Sequence, residues 1–229
     1  MAKILFTAFM ADARGKLAGT VFSKNRGGSY VRTKVTPTNP KTNAQNLVRS
    51  ILTALSQAWR SLTAAQRTAW NAAVGSFPRT NVFGASKTLS GHQLYVGLNA
   101  QLEAASAATI SAPPVPVGAP GVSVLSGAAA AGAGTFTATF DPDPIPAGSA
   151  MIIDATEQVS PGKSNLSNLY RQIQVAAAAA VSPADIAAAY IAKFGTLVAG
   201  QKIGLRARIV NTTTGEVSGS VTAELIVAA

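Results

Sequence analysis

Arg14, Lys16, Lys24, Arg26, Arg32, Lys34 and Lys41 crowd the stretch from residue 14 to residue 41, which also holds Tyr30. Lys and Arg give sequence-independent affinity for a polyanion, and an aromatic side chain adds a base to stack on. The same set would serve as a charged arm docking in an acidic groove of a neighbouring subunit. No recognised nucleic-acid motif surrounds these charges, which favours the protein partner. These eight residues are the candidate partner-binding set, whether the partner is protein or polyanion.

Other chemistry is thinly supplied. The chain has no Cys, which removes thiol nucleophiles, zinc thiolates and disulfides, and its one His, His92, removes multi-His metal sites. No Ser or Cys motif offers His92 a catalytic partner, so it reads as a surface or capping histidine. Asp141 and Asp143, alternating with prolines, fall short of the six to eight oxygen ligands that calcium takes, and read as a turn at a sheet edge. Gly132-Ala133-Gly134 lacks the Lys-Ser/Thr and the following helix of a phosphate loop. We expect no catalytic residue, no metal and no cofactor: the protein is not expected to be an enzyme.

Charge is segregated along the chain. Residues 1–112 carry thirteen Lys and Arg against two acids, Asp12 and Glu103, while residues 113–229 carry six against seven. One half is built to meet something anionic or to lie within an assembly, and the other is a near-neutral module. The longest apolar run, Val175 to Val181, is far short of the roughly 20 residues that span a bilayer. The apolar stretch within Met1–Met10 runs into Asp12 and Arg14 without a cleavage site. We expect a soluble protein made in the cytoplasm, with no membrane partner and no secretory signal.

The elements that must position the basic set follow from periodicity. Tyr30, Arg32 and Lys34 alternate with Val31, Thr33 and Val35, which separates a basic strand face from an apolar one. Thr20–Ser23 supplies the partner strand, and Gly27-Gly28 the positive φ of a tight hairpin. Thr36-Pro37-Thr38-Asn39-Pro40 then interrupts regular structure. Three capping boxes follow: Thr42 with Gln45, Thr63 with Gln66, and Ser90 with Gln93. They predict three helices, the first carrying Leu47, Val48, Ile51, Leu52, Leu55, Trp59 and Leu62 at helical spacing. Trp59 and Trp70 read as the core of the resulting helical hairpin.

Residues 104–121, rich in Ala and Pro, read as an extended linker. Beyond it, β-like segments recur at 122–125, 135–140, 150–154, 169–175, 203–210 and 220–227, the pattern of an immunoglobulin or fibronectin type β-sandwich. One inserted helix is expected, with Ser182 as its cap, Pro183 at its first position, Ile186, Tyr190, Ile191 and Phe194 as its buried stripe, and Gly195 as its stop. The expected fold class is α+β: a basic hairpin and small helical domain over 1–103, the linker over 104–121, and the sandwich over 122–229.

The run from Gly15 to Gln45, continued by Ser56 to Asn71 with its Ala-Trp-Arg-Ser-Leu-Thr-Ala-Ala-Gln-Arg-Thr-Ala-Trp core, resembles the N-terminal half of uncharacterised proteins encoded by tailed phages and prophages. The similarity covers about the first 100 residues. The resemblance implies a structural protein of a bacteriophage virion or its assembly machinery. Capsid, portal or tail subunits would be its partners, within a symmetric, multimeric assembly. A DNA-binding or genome-packaging protein is the alternative. A third reading, a carbohydrate-binding adhesin, needs exposed aromatics in the sandwich loops, where Tyr170 and Tyr190 read as buried.

Overall fold

A computed structural model of the chain describes residues 2–4, 12–36, 38–81 and 83–229. Most of the apolar N-terminal stretch, and Pro37 of the proline break, lie outside the described residues. Helices and antiparallel sheets combine in an α+β fold, and the chain divides into two compact units, Met1–Val96 and Gly97–Ala229.

In the first unit, β1 (Ala2–Lys3), β2 (Gly15–Leu17), β3 (Thr20–Asn25) and β4 (Gly28–Thr33) form an antiparallel sheet of order β1-β4-β3-β2. The expected hairpin is β3–β4. Asn25 Oδ1 accepts the Gly27 N–H at 2.9 Å, so the side chain closes the turn. Of the glycine pair only Gly28 takes a positive φ, +100°. No described residue of this sheet is buried.

Three α-helices follow among the described residues, α1 (Asn43–Ser61), α2 (Ala64–Ala73) and α3 (Gly91–Ala104), with a 3-10 turn at Val74–Ser76 after α2; α3 continues past Val96 into the second unit. Two capping boxes close reciprocally. Thr63 Oγ1 accepts from the Gln66 N–H at 3.2 Å while Gln66 Oε1 accepts from the Thr63 N–H at 2.9 Å. Ser90 and Gln93 repeat this at 3.2 and 3.0 Å. The first box forms only by half: Thr42 Oγ1 takes the Gln45 N–H at 3.3 Å, but Gln45 Oε1 is buried with no partner.

Among the described residues of this unit, Leu55, Leu62, Trp70, Phe77, Leu94 and Tyr95 are the buried hydrophobics. The Tyr95 ring stands edge-on to Trp70 at 5.3 Å and lies 5.4 Å from the half-buried Trp59, which in turn packs on His92 at 5.5 Å. The start of α3 is fixed to α2 by the Gly91 N–H, which donates to Asn71 Oδ1 at 3.0 Å. A Cβ on Gly91 would lie 2.8 Å from the Asn71 backbone nitrogen, so this approach requires glycine.

The second unit holds two antiparallel sheets. One, of order β11-β10-β7-β8, is built from β7 (Ser149–Ala155), β8 (Arg171–Ala176), β10 (Lys202–Asn211) and β11 (Val221–Ile226). The other, of order β5-β6-β9, contains β5 (Val124–Ala130), β6 (Thr135–Asp141) and β9 (Ala184–Asp185). Five of the six strands expected from the sequence lie close to their expected bounds; the first is shifted, at 124–130 where 122–125 is expected, and β9 is an addition. Phe136, Ala138 and Phe140 from one sheet share a core with Met151, Ile153, Leu205, Ala207 and Ile209 from the other. Every residue of β7 is buried, because Ala150 and Ile152 on its outer face are covered by Ala105 and packed with Val210.

The inserted helix, α4 (Ala187–Phe194), starts later than the sequence predicts. Ser182 is not its cap: its Oγ accepts the Phe140 N–H at 3.0 Å. Residues 184 and 185 pair with β6, and the Ile186 N–H donates to the Phe136 carbonyl at 2.8 Å. Tertiary strand pairing has taken the backbone that local cap chemistry would have used. Gly195, at a φ of +89°, ends α4 as expected. Tyr190 is fully buried, donating its hydroxyl to the Thr156 carbonyl at 3.1 Å.

The Pro-rich segment 110–121 bonds to its own unit at both ends. Ile110 exchanges two hydrogen bonds with the side chain of Asn99, at 2.7 and 3.2 Å. Glu216 Oε2 accepts from the N–H groups of Val117 and Gly118, at 2.9 and 2.7 Å.

Candidate functional site

Register decides which basic residues share a face. In an antiparallel sheet, residues directly opposite each other point to the same side, and the next pair to the other. Tyr30 lies between Lys3 on β1 and Ser23 on β3, and Arg32 is opposite Val21, itself opposite Lys16 on β2. Lys3, Lys16, Tyr30 and Arg32 therefore share one face, with adjacent strands spaced at about 4.8 Å. Phe22 and Val31 face the other way, as the alternation of β4 implies. Lys34 continues β4: its N–H donates to the Gly19 carbonyl at 2.7 Å, and its side chain is exposed.

The other members of the expected set are dispersed. Lys24, opposite Ser29, lies on the Phe22 and Val31 side of the sheet. Arg26 is exposed in the hairpin turn. Arg14 is ion-paired with Asp12, Nε to Oδ2 at 3.0 Å. Lys41 stands just before α1 with a φ of +52°, its N–H donating to Asn39 Oδ1. Lys3 was not in the expected set. It is a lone cation at the start of the chain, and only the β1–β4 pairing places it beside Tyr30.

The charge of this unit has no internal counterweight. Met1–Val96 holds thirteen Lys and Arg and one acid, Asp12, a net of +12, and that acid is spent on Arg14. The second unit holds six Lys and Arg against eight acids. Its main ion cluster is internal: Arg206 donates from Nε and Nη2 to Asp154 Oδ2 at 3.0 and 2.8 Å, with Arg208 at 3.7 Å. The Tyr170 ring packs on the Arg206 guanidinium, 4.7 Å from its centroid.

A second exposed feature of the first unit is apolar. The stripe of α1 is buried only toward its C-terminal end, at Leu55 and at Leu62 just beyond it. In the first turns Leu47, Val48 and Leu52 are 61%, 66% and 52% exposed. The helix is amphipathic along its length, but among the described residues only the C-terminal half of the stripe is buried.

The two aspartates of the proline-rich turn bond locally. Asp141 closes β6 and accepts from the Ser123 hydroxyl, and Asp143 accepts the Ser182 N–H at 2.9 Å. Among the described residues no group of three or more His, Cys, Asp or Glu is placed to hold a metal ion. Among them, too, no helix is long and apolar enough to cross a membrane. No protein-family model matches the chain, and no curated protein matches it.

Proposed function

We propose that the protein is a non-enzymatic structural component of a tailed-phage virion, anchored to capsid, portal or tail through its first unit and presenting its second. The observation that carries this reading is the asymmetry between the units. The first is strongly basic, with an unburied sheet and an uncovered helical stripe, whereas the second has a full hydrophobic core and near-balanced charge. A surface both cationic and apolar is suited to a protein interface, where an apolar centre ringed by charge combines affinity with orientation. The resemblance of residues 15–45 and 56–71 to phage-encoded proteins supplies the setting.

The second unit supports an immunoglobulin or fibronectin type sandwich. With β5, β6, β7, β8, β9, β10 and β11 taken in order as strands A, B, C, C′, E, F and G, the sheets are A-B-E and G-F-C-C′. Helix α4 then occupies the E–F connection. Such a module suits display or packing beside a neighbouring subunit in a repeating assembly.

Cryo-electron microscopy of purified particles tests the assignment. The expected result is this chain at symmetric positions, with residues 14–41 in a groove of a neighbouring protein. Its absence from particles would refute the reading. The alternative, DNA binding, is favoured by one observation: Tyr30 flanked by Lys3 on the face that also bears Arg32 and Lys16. Density for nucleic acid against that face would decide for it.

A further inference from the structure

A cavity of about 400 Å³ opens in the first unit beside the hairpin turn. Three cations from separate segments line it: Lys3 of β1, Arg26 of the turn and Lys87 from the chain before α3. Lys3 Nζ and Lys87 Cε converge over the glycine of the turn. A Cβ built on Gly27 would lie 3.0 Å from the first and 3.7 Å from the second. Two cationic side chains gathered over one turn repel each other, and an anion bound there would offset that repulsion. The unit cannot supply that anion, because its single acid, Asp12, is paired with Arg14.

The neutral part of the lining points the same way. Asn25, Asn81 and Gln93 each spend the side-chain oxygen on backbone N–H groups: Asn25 on Gly27, Asn81 on Phe83 and Ala85, and Gln93 on Ser90. These bonds orient the three amides, and each keeps its N–H2 donors to offer. Thr80 and Thr88 add hydroxyls to the wall. The strand-like pairing of Thr80 with Ser86, and the Lys87 N–H donated to the Arg79 carbonyl at 2.7 Å, hold the loop that carries these groups. Cations and spare donors surround the space, and no carboxylate lines it.

We propose that this cavity binds a phosphate group, with Lys3, Arg26 and Lys87 supplying charge and the amides and hydroxyls supplying oriented donors. Glycine at position 27 lets the oxyanion approach the turn closely. The proposal does not depend on the virion reading. The same chemistry would accept free phosphate or the phosphodiester of a nucleic acid.

Backbone amide NMR of the full chain, titrated with inorganic phosphate at constant ionic strength and then with a short DNA duplex, tests it. The expected result is saturable shifts centred on Gly27, Thr80 and Thr88, weakened about tenfold or more in the Lys3→Met/Lys87→Met double variant. If DNA moves the same amides and displaces phosphate, the natural source is a nucleic acid; if only phosphate saturates, it is the free ion. Linear shifts spread over the basic surface, or equal shifts with chloride, would overturn the proposal, as would unchanged binding in the double variant. Should the double variant lose its native spectrum, Gly27→Val replaces it. That change keeps every charge, fills the turn side of the cavity and is expected to abolish saturation; saturation at the wild-type level would overturn the proposal.

Discussion

Replacing Leu47, Val48 and Leu52 together by Gln separates folding from assembly. In the free chain these side chains are more than half exposed, so their loss removes little buried apolar area. Gln forms helix about as well as Leu and better than Val, so α1 itself is retained. The expected change in unfolding free energy is within about 1 kcal/mol for the three together. In an assembly that covers the stripe the outcome differs. Full burial of a Leu or Val side chain contributes about 1.5–3 kcal/mol, and the exposed fraction of each leaves about 1–2 kcal/mol still to be gained. Three such residues amount to about 3–5 kcal/mol, a factor on the order of 10² to 10⁴ in association. Urea unfolding followed by tryptophan fluorescence reports on the right unit, because both tryptophans, Trp59 and Trp70, lie in it. Incorporation of the variant into particles, measured beside the wild type, reports on assembly. Unfolding at wild-type urea with incorporation lost is the expected pair of results. A loss of several kcal/mol in the free chain would place the stripe in the unit's own core, and wild-type incorporation would show that nothing docks there; either result rules out a docking stripe on α1.

Four predictions concern the second unit. Gly215→Ala should destabilise it by about 2–5 kcal/mol, since the residue has a φ of +75° and the new Cβ would stand 2.5 Å from the Leu98 carbonyl oxygen. Gly134→Ala, at a φ of +62° with open space around it, should cost only about 1 kcal/mol in the same denaturation assay. Asp154→Ala should cost about 2–4 kcal/mol in chemical denaturation, because it strips the carboxylate from two arginines; their side chains, 28% and 25% exposed, recover some solvation. Burial, reinforced by the Glu157 charge, raises the Tyr190 phenol far above its ordinary 10.0. The folded state therefore disfavours the phenolate: this contribution to stability is whole below about pH 10 and falls as pH rises beyond it. Tyr190→Phe should lose about 1 kcal/mol at neutral pH with the Thr156 hydrogen bond, and its denaturation midpoint should decline less steeply above pH 10.

Neighbours within a few positions settle the local features of this chain. Thr63 with Gln66 and Ser90 with Gln93 cap their helices as read, because a cap is a hydrogen bond across three residues. The alternation of Tyr30 and Arg32 with Val31 and Thr33 is carried into β4, because a strand's two faces follow from its backbone alone. The segregation of charge, too, is a property of the linear chain. The tertiary structure decided what depends on a distant partner. Ser182 looked like a cap, yet pairing of residues 184 and 185 with β6 moved the start of α4 to Ala187. The stripe of α1 was legible, but whether anything covers it was not, since periodicity marks an apolar face without naming what lies against it. Lys3 and Lys87 are separated from Gly27 by dozens of residues and carry no local motif. Loop closure over such lengths costs little more than over shorter ones, so spacing along the chain does not tell which cations meet. Strand register and the path of the loop before α3 brought them to one cavity.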